Sequence, residues 1–207
     1  MVHKMRDEGI DAYLLQETWD KKSWGPIKID GYTVFHHNNN VKTSRTGVTI
    51  ILSPRFTKAW KDAGALDPTQ TNRDSTFEGR FIGLKLKFPR LNSSGKQDKK
   101  APWKDVLLAS MYHPYDVTSV DFNSVLLSII TKHAKNHEII MGGDMNAQIG
   151  RKDCEEFADV LGPFGPRHRN QKGIDLLHTY QSINWPAHHE HMLPARQSHH
   201  LSILQPE

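Results

Sequence analysis

Glu138-Ile139-Ile140-Met141-Gly142-Gly143-Asp144-Met145-Asn146 is the stretch on which the reading of the fold turns. Its first part, Glu138 to Gly142, is a short apolar run of the length and kind expected of a buried strand. Gly143, Asp144 and Asn146 follow with no intervening linker. If the extended geometry continues through Asn146, the two-residue period points Asp144 and Asn146 to the same side, at the carboxyl end of a strand. Asp and Asn after glycines also favour turns for backbone reasons alone, so a plain turn stays open beside a site.

Two other apolar runs close in a similar way. Asp105 to Tyr112 (DVLLASMY) reads as a buried strand and runs into Met111-Tyr112-His113-Pro114-Tyr115, where a phenol and an imidazole are available to donate to a phosphate oxygen. Tyr112 reads equally as a core aromatic, and His113 as a satisfied surface histidine. Asp11 to Glu17 (DAYLLQE) reads as a short strand with Tyr13, Leu15 and Glu17 on one face and Leu14 and Gln16 on the other, preceded by a helix end closed at Gly9. A carboxylate ending an apolar strand is costly to bury unless a cation or donor meets it. Magnesium would meet it, because that ion takes one or two carboxylates and completes its shell with water and substrate phosphate. A strand end emerging into solvent is the alternative.

The rest of the chain mixes strand and helix signals. Gly31 to His36, Gly47 to Ser53 and Phe77 to Phe88 are β-rich, the last carrying Phe81, Ile82, Leu84, Leu86 and Phe88. Thr118 to Asn136 places Phe122, Val125, Leu126, Ile129 and Ile130 at helical spacing, and Asn170 to Tyr180 holds Ile174, Leu176 and Leu177 in a second helix. Leu91 to Pro102 is polar and Gly/Ser/Lys-rich, and sets a surface loop at 89–104. The class is α/β, sheets covered by helices, in one domain over 1–183. Residues 184–207 show no periodicity and carry five of the thirteen histidines with three prolines, which reads as a disordered tail. Histidines at such short spacing can chelate zinc, but no carboxylate shell in a folded context accompanies them.

Composition narrows the function classes. The 207 residues carry 27 Lys and Arg against 23 Asp and Glu, a net charge of +4 with His neutral, so an anionic partner is permitted and not required. The basic clusters, Lys96-Gln97-Asp98-Lys99-Lys100 with Lys104 and Arg167-His168-Arg169 with Lys172, read on composition alone as solvated loops. No apolar run reaches the length of a membrane span, and the start lacks the apolar core of a signal peptide. An intracellular chain with no membrane association is expected. The single cysteine, Cys154, excludes an internal disulfide and any cysteine zinc cluster.

The order Gln16-Glu17, Tyr112-His113-Pro114, Gly143-Asp144-Met145-Asn146, each closing an expected strand, resembles the endonuclease/exonuclease/phosphatase family. Within it the chain is similar to the endonuclease domains of retrotransposons, themselves similar to apurinic/apyrimidinic endonucleases. Further matches are Arg45-Thr46-Gly47-Val48-Thr49-Ile50-Ile51-Leu52, Gly79-Arg80-Phe81-Ile82, and Leu161-Gly162 through Asn170-Gln171-Lys172-Gly173-Ile174-Asp175-Leu176-Leu177. The resemblance covers roughly Val2 to Ile183.

What the resemblance implies is a four-layer α/β sandwich of two packed mixed sheets flanked by helices, here incomplete, and a magnesium-dependent hydrolysis of phosphodiester bonds in which Mn2+ can replace Mg2+. Glu17 would be a metal ligand and Tyr112 would contact the scissile phosphate. Asp144 would orient or activate the attacking water, and Asn146 would help hold it or the phosphate. Arg45, Arg167, Arg169 and Lys172 would lie against a nucleic-acid backbone, DNA being the expected partner and the nucleus the implied location, with no obligate protein partner. Two family elements have no counterpart: an opening strand with an Asn or Asp near the metal, and a closing Ser-x-x-Asp-His motif, since no Asp-His pair occurs in the chain. The expectation is a truncated relative of a retroelement endonuclease with activity in question. A non-catalytic nucleic-acid binder and a phosphatase of lipid or inositol phosphates are the alternatives.

Overall fold

The computed structural model describes residues 1–20, 23–38, 46–70, 78–92, 94, 96, 98–113, 119–151, 156–158, 160–161 and 168–182. They form two compact units, one of residues 1–112 and 133–143 and the other of 113–132 and 144–182. The expected tail over 184–207 lies outside the described residues.

The first unit opens with helix α1 (Val2–Asp7), which stops where the sequence places its stop. Gly9 takes φ +66°, its N–H donates to Arg6 O, and Ile10 N–H donates to Met5 O at 2.8 Å. Those paired bonds satisfy carbonyls the helix leaves open, and Ile10 packs with Met5, the apolar contact that accompanies this kind of ending. Strands β1 (Ala12–Gln16), β2 (Trp24–Ile29), β3 (Tyr32–His37) and β4 (Val48–Leu52) form an antiparallel sheet in the order β1-β4-β3-β2. Strand β2 carries Gly25-Pro26, and its register with β3 slips between Trp24 and Ile27. A proline is tolerated there because β2 is an edge, where one side of the strand owes no ladder bond. That glycine and proline read as a turn in the sequence, and they conceal the strand.

The second sheet has the order β5-β6-β7-β8, built from β5 (Thr69–Gln70), β6 (Phe81–Phe88), β7 (Lys104–Tyr112) and β8 (Glu138–Asp144). Strands β5, β6 and β7 pair antiparallel. Lys104 meets Glu138 at the starts of β7 and β8 and Met111 lies against Gly143 near their ends, so these two run parallel. Between β6 and β7, Asn92 Oδ1 accepts from the N–H groups of Ser94 and Lys96.

Alternation in both sheets sends one set of apolar side chains inward. Ala12, Leu14, Phe35, Val48, Ile50 and Leu52 of the first sheet meet Ile82, Leu84, Leu86, Val106, Leu108 and Tyr112 of the second in one core. Each Val, Leu, Ile or Phe among them contributes about 1.5–3 kcal/mol when fully buried. The opposite face of the first sheet, Tyr13, Val34 and Ile51, is covered by Met5 of α1.

Helix α2 (Pro54–Asp62) went unread in the sequence, although its start signal is present: Ser53 accepts from Phe56 N–H at 3.2 Å, and Pro54 holds the first helical position. Ser53 also donates to Asp11 Oδ1 at 2.7 Å. Trp60 packs edge-on to Phe35, and Phe56 to Phe88. These contacts place α2 beside Phe35 of one sheet and the last residue of β6 in the other. The opposite end of the sandwich, where β1 and β7 finish, is joined by polar side chains instead.

The second unit contains most of α3 (Ser119–Ala134) and all of α4 (Gln171–Ser182). Phe157, Val160, Leu161 and Leu177 form its core, with Ile149, Ile174 and Tyr180 at the margin. Asn170 caps α4: its Oδ1 accepts from Gly173 N–H at 2.9 Å and from Gln148 N–H at 3.1 Å, while its own N–H donates to Gln148 O at 3.0 Å. A Cβ on Gly173 would stand 2.0 Å from Gln148 O. The Asn170-Gln171-Lys172-Gly173 sequence is therefore a cap and a close backbone approach.

Candidate active site

At the end of β1 the chain leaves the pleat. Gln16 still points into the sandwich, its Nε2 donating to Ser110 Oγ at 3.1 Å, while the Ser110 hydroxyl donates to Leu15 O across to the first sheet. Glu17 then takes φ +52°, and its carboxylate receives the Tyr112 hydroxyl at 2.6 Å. This corrects the expectation that Glu17 shares a face with Tyr13 and Leu15, which pack on the side of α1. The left-handed residue ends the alternation, and the carboxylate joins the side of Tyr112. Tyr112 is the core aromatic that its sequence position allowed, with its ring buried at 6% exposure, and its hydroxyl reaches the exposed Glu17 carboxylate.

The backbone behind Glu17 is fastened by a buried polar cluster that sequence reasoning missed. Thr18 Oγ1 lies 3.1 Å from His36 Nδ1, which lies 2.8 Å from Thr49 Oγ1. His37 Nε2 accepts from Gly79 N–H at 3.1 Å, so its proton is on Nδ1, facing Ser23 Oγ at 3.0 Å. The Ser23 hydroxyl in turn donates to Asn38 O at 3.0 Å. Gly47 N–H donates to Gly79 O. These contacts tie Gly47 and Gly79 to each other and Gly79 to His37. The sequence signal was the run His36-His37-Asn38 closing an apolar strand.

Burial pushes His37 down to about 4, with the His36 imidazole adding to the shift, and burial also lowers His36 against the opposing pull of Asp20. The folded His37 is depressed below the ordinary value near 6.5, so between about pH 6.5 and 4 the unfolded chain binds a proton that the folded chain refuses. Stability from this group is complete above that window and falls as pH falls through it, by on the order of 3 kcal/mol. Urea unfolding midpoints measured from pH 7.5 to 4.5 are expected to fall more steeply in the native chain than in His37→Gln; parallel slopes would remove His37 from the account.

Asp144 ends β8 exposed to solvent, and belongs to the second unit. Its Oδ1 accepts from Asn146 N–H at 2.8 Å, and Asn146 takes φ +45°. Of the two readings left open, extended chain through Asn146 or a turn, the structure has a side-chain-capped turn, because an aspartate two residues upstream offers the amide a local acceptor. Asn146 Nδ2 donates to His113 O at 2.7 Å, and His113 N–H donates to Asp144 O at 2.8 Å. The turn still brings Asp144 and Asn146 together, by different means. His113 is not the surface histidine of one expectation: it is 2% exposed and stacks on Phe122 at 4.1 Å.

The expected basic contacts divide. Arg45 and Arg167 lie outside the described residues, as do His188, His189, His191, His199 and His200. Arg169 is engaged within its unit: Nε donates to Ile149 O at 2.8 Å, and the guanidinium sits 5.0 Å from the Phe157 ring. Lys172 stands in the first turn of α4, half-buried. Among the described residues no three His, Cys, Asp or Glu side chains stand together as a metal cluster, and no helix is long and apolar enough to cross a membrane.

No protein-family model matches the chain, and no curated protein matches it. Among solved structures the chain is similar to the endonuclease domain of TRAS1, a telomere-specific non-LTR retrotransposon, at 14% identity and a TM-score of 0.49, over 88% of this chain and 62% of that one.

Proposed function

We propose that the chain is a magnesium-dependent phosphodiesterase acting on DNA, of the retroelement endonuclease kind. The observation that carries this reading is the Tyr112 hydroxyl on the Glu17 carboxylate at 2.6 Å, at the ends of strands from two different sheets. The ordered motifs of the sequence support it, because the residues they single out are exposed carboxylates and donors at strand ends. Glu17 is a hard oxygen donor at an exposed strand end, which fits an ion that takes one or two carboxylates and fills its shell with water and phosphate. When bound there, magnesium or manganese supplies positive charge against the phosphate oxygens.

The protein's own groups divide the remaining work. The Tyr112 hydroxyl has one proton, now given to Glu17, and turning it to a phosphate oxygen stabilises the charge that grows there as the bond to the leaving oxygen breaks. Asp144 is an exposed carboxylate whose Oδ1 is committed to Asn146 N–H, which fixes the side chain while its other oxygen accepts a proton of the attacking water. The Asn146 amide holds the turn through His113 O, and its role is to keep Asp144 in that orientation.

Nicking of supercoiled plasmid by the purified chain tests the reading, in magnesium and in EDTA, beside release of phosphate from inositol phosphates. Magnesium-dependent nicking without phosphate release is the expected result. Phosphate release without nicking would favour the phosphatase alternative, and DNA binding with neither would favour a non-catalytic binder.

A further inference from the structure

Trp19 is 59% exposed, an unusual placement for the largest side chain. It also holds φ +52°, a region that bulky side chains seldom adopt. Backbone strain of this kind persists only where the surroundings over-determine it, and here they do. Trp19 N–H donates to Thr46 O and Thr18 N–H to Gly47 O, each at 3.2 Å. Thr18 Oγ1 accepts from Thr49 Oγ1 at 3.2 Å and lies 3.1 Å from His36 Nδ1. Gly47 permits the approach through φ +113°, since a Cβ there would stand 2.8 Å from Thr18 Oγ1 and 3.1 Å from Trp19 N. The indole is thus offered to solvent from a fastened backbone, two residues after the carboxylate that meets Tyr112.

We propose that Trp19 is a stacking platform for a nucleobase of the bound strand, beside the phosphate served by Glu17. The proposal rests on the nucleic-acid reading above and names the part of the substrate that Glu17 and Tyr112 leave unrecognised. An aromatic face stacks on any base with little regard to sequence. A platform held by backbone bonds before binding loses little freedom when the base arrives, so more of the stacking energy appears as affinity.

Binding to two fluorescent oligomers in EDTA, where cleavage does not intervene, tests this in the full chain: a short thymidine oligonucleotide and an equally long oligomer of abasic sugar phosphates. The native chain is expected to bind the thymidine oligomer more tightly. Trp19→Ala is expected to lose roughly ten-fold or more on that oligomer and nothing on the abasic one, with its thermal midpoint unchanged. Trp19→Phe keeps a smaller aromatic face and retains most of the affinity; Trp19→Leu, bulky without a π face, behaves as the alanine variant and carries the test should alanine disturb the fold. Equal losses on both oligomers, no loss on either, or no binding of either by the native chain would overturn the proposal. Base-dependent loss without plasmid nicking would overturn the nuclease reading alone, and nicking without base-dependent loss would overturn the platform alone.

Discussion

Gly143→Ala is expected to destabilise the first unit by on the order of 3–5 kcal/mol, although it adds one methyl group. A Cβ at this position would stand 1.9 Å from Met111 O and 2.8 Å from Met111 C. Both are backbone atoms of β7, a strand hydrogen-bonded to β6 along its whole length, so no rotamer relieves the contact. Relief requires β8 to shift, which would carry Asp144 with it. Gly9→Ala is the useful contrast, because nothing lies within 4 Å of its Cβ position and only φ +66° opposes the substitution, at about 1 kcal/mol. Thermal unfolding followed by circular dichroism should separate the two midpoints, with Gly143→Ala far lower. Equal midpoints would mean that β7 and β8 are not packed as described.

Asp144→Asn and Glu17→Gln are each expected to reduce magnesium-dependent strand cleavage by about 10²–10⁴-fold while leaving the fold intact. The choice of amides matters. An asparagine oxygen at 144 can still accept from Asn146 N–H, and a glutamine oxygen at 17 can still accept from Tyr112, so both local hydrogen bonds survive. What disappears is the charge. Single-turnover rates measured beside thermal midpoints distinguish the cases: slow and stable variants place the carboxylates in the chemistry, whereas unstable variants of native rate make them structural.

Much of the fold was legible because its strands and helices follow simple periods. Leu14, Ile50, Leu84 and Leu108 alternate into one core, and Phe122, Leu126 and Ile130 recur at helical spacing and are buried. The parts that escaped are those in which a local signal competes with the period. Gly25-Pro26 breaks β2 with turn residues, and the Ser53-Pro54 start of α2 directly abuts the apolar run of β4. At the candidate site the residue types were legible and their geometry was not. Glu17 and Asn146 take positive φ, and each departs from the strand period that the flanking sequence carries up to it. The polar cluster of Thr18, His36, His37 and Gly79 joins segments far apart in the chain, so no spacing rule reaches it. Arg169, set against a nucleic-acid backbone by the resemblance alone, packs its guanidinium over Phe157, a contact no spacing rule reaches.

Cleavage of an end-labelled DNA duplex in a single turnover, with the native chain and Asp144→Asn compared in magnesium and in EDTA, tests the central claim most directly. Strand breaks by the native chain in magnesium, none in EDTA, and about a hundred-fold or more slower breaks by a folded Asp144→Asn are expected. A folded native chain that leaves the duplex whole in magnesium and in manganese, or cleavage that survives unchanged in Asp144→Asn, would contradict it.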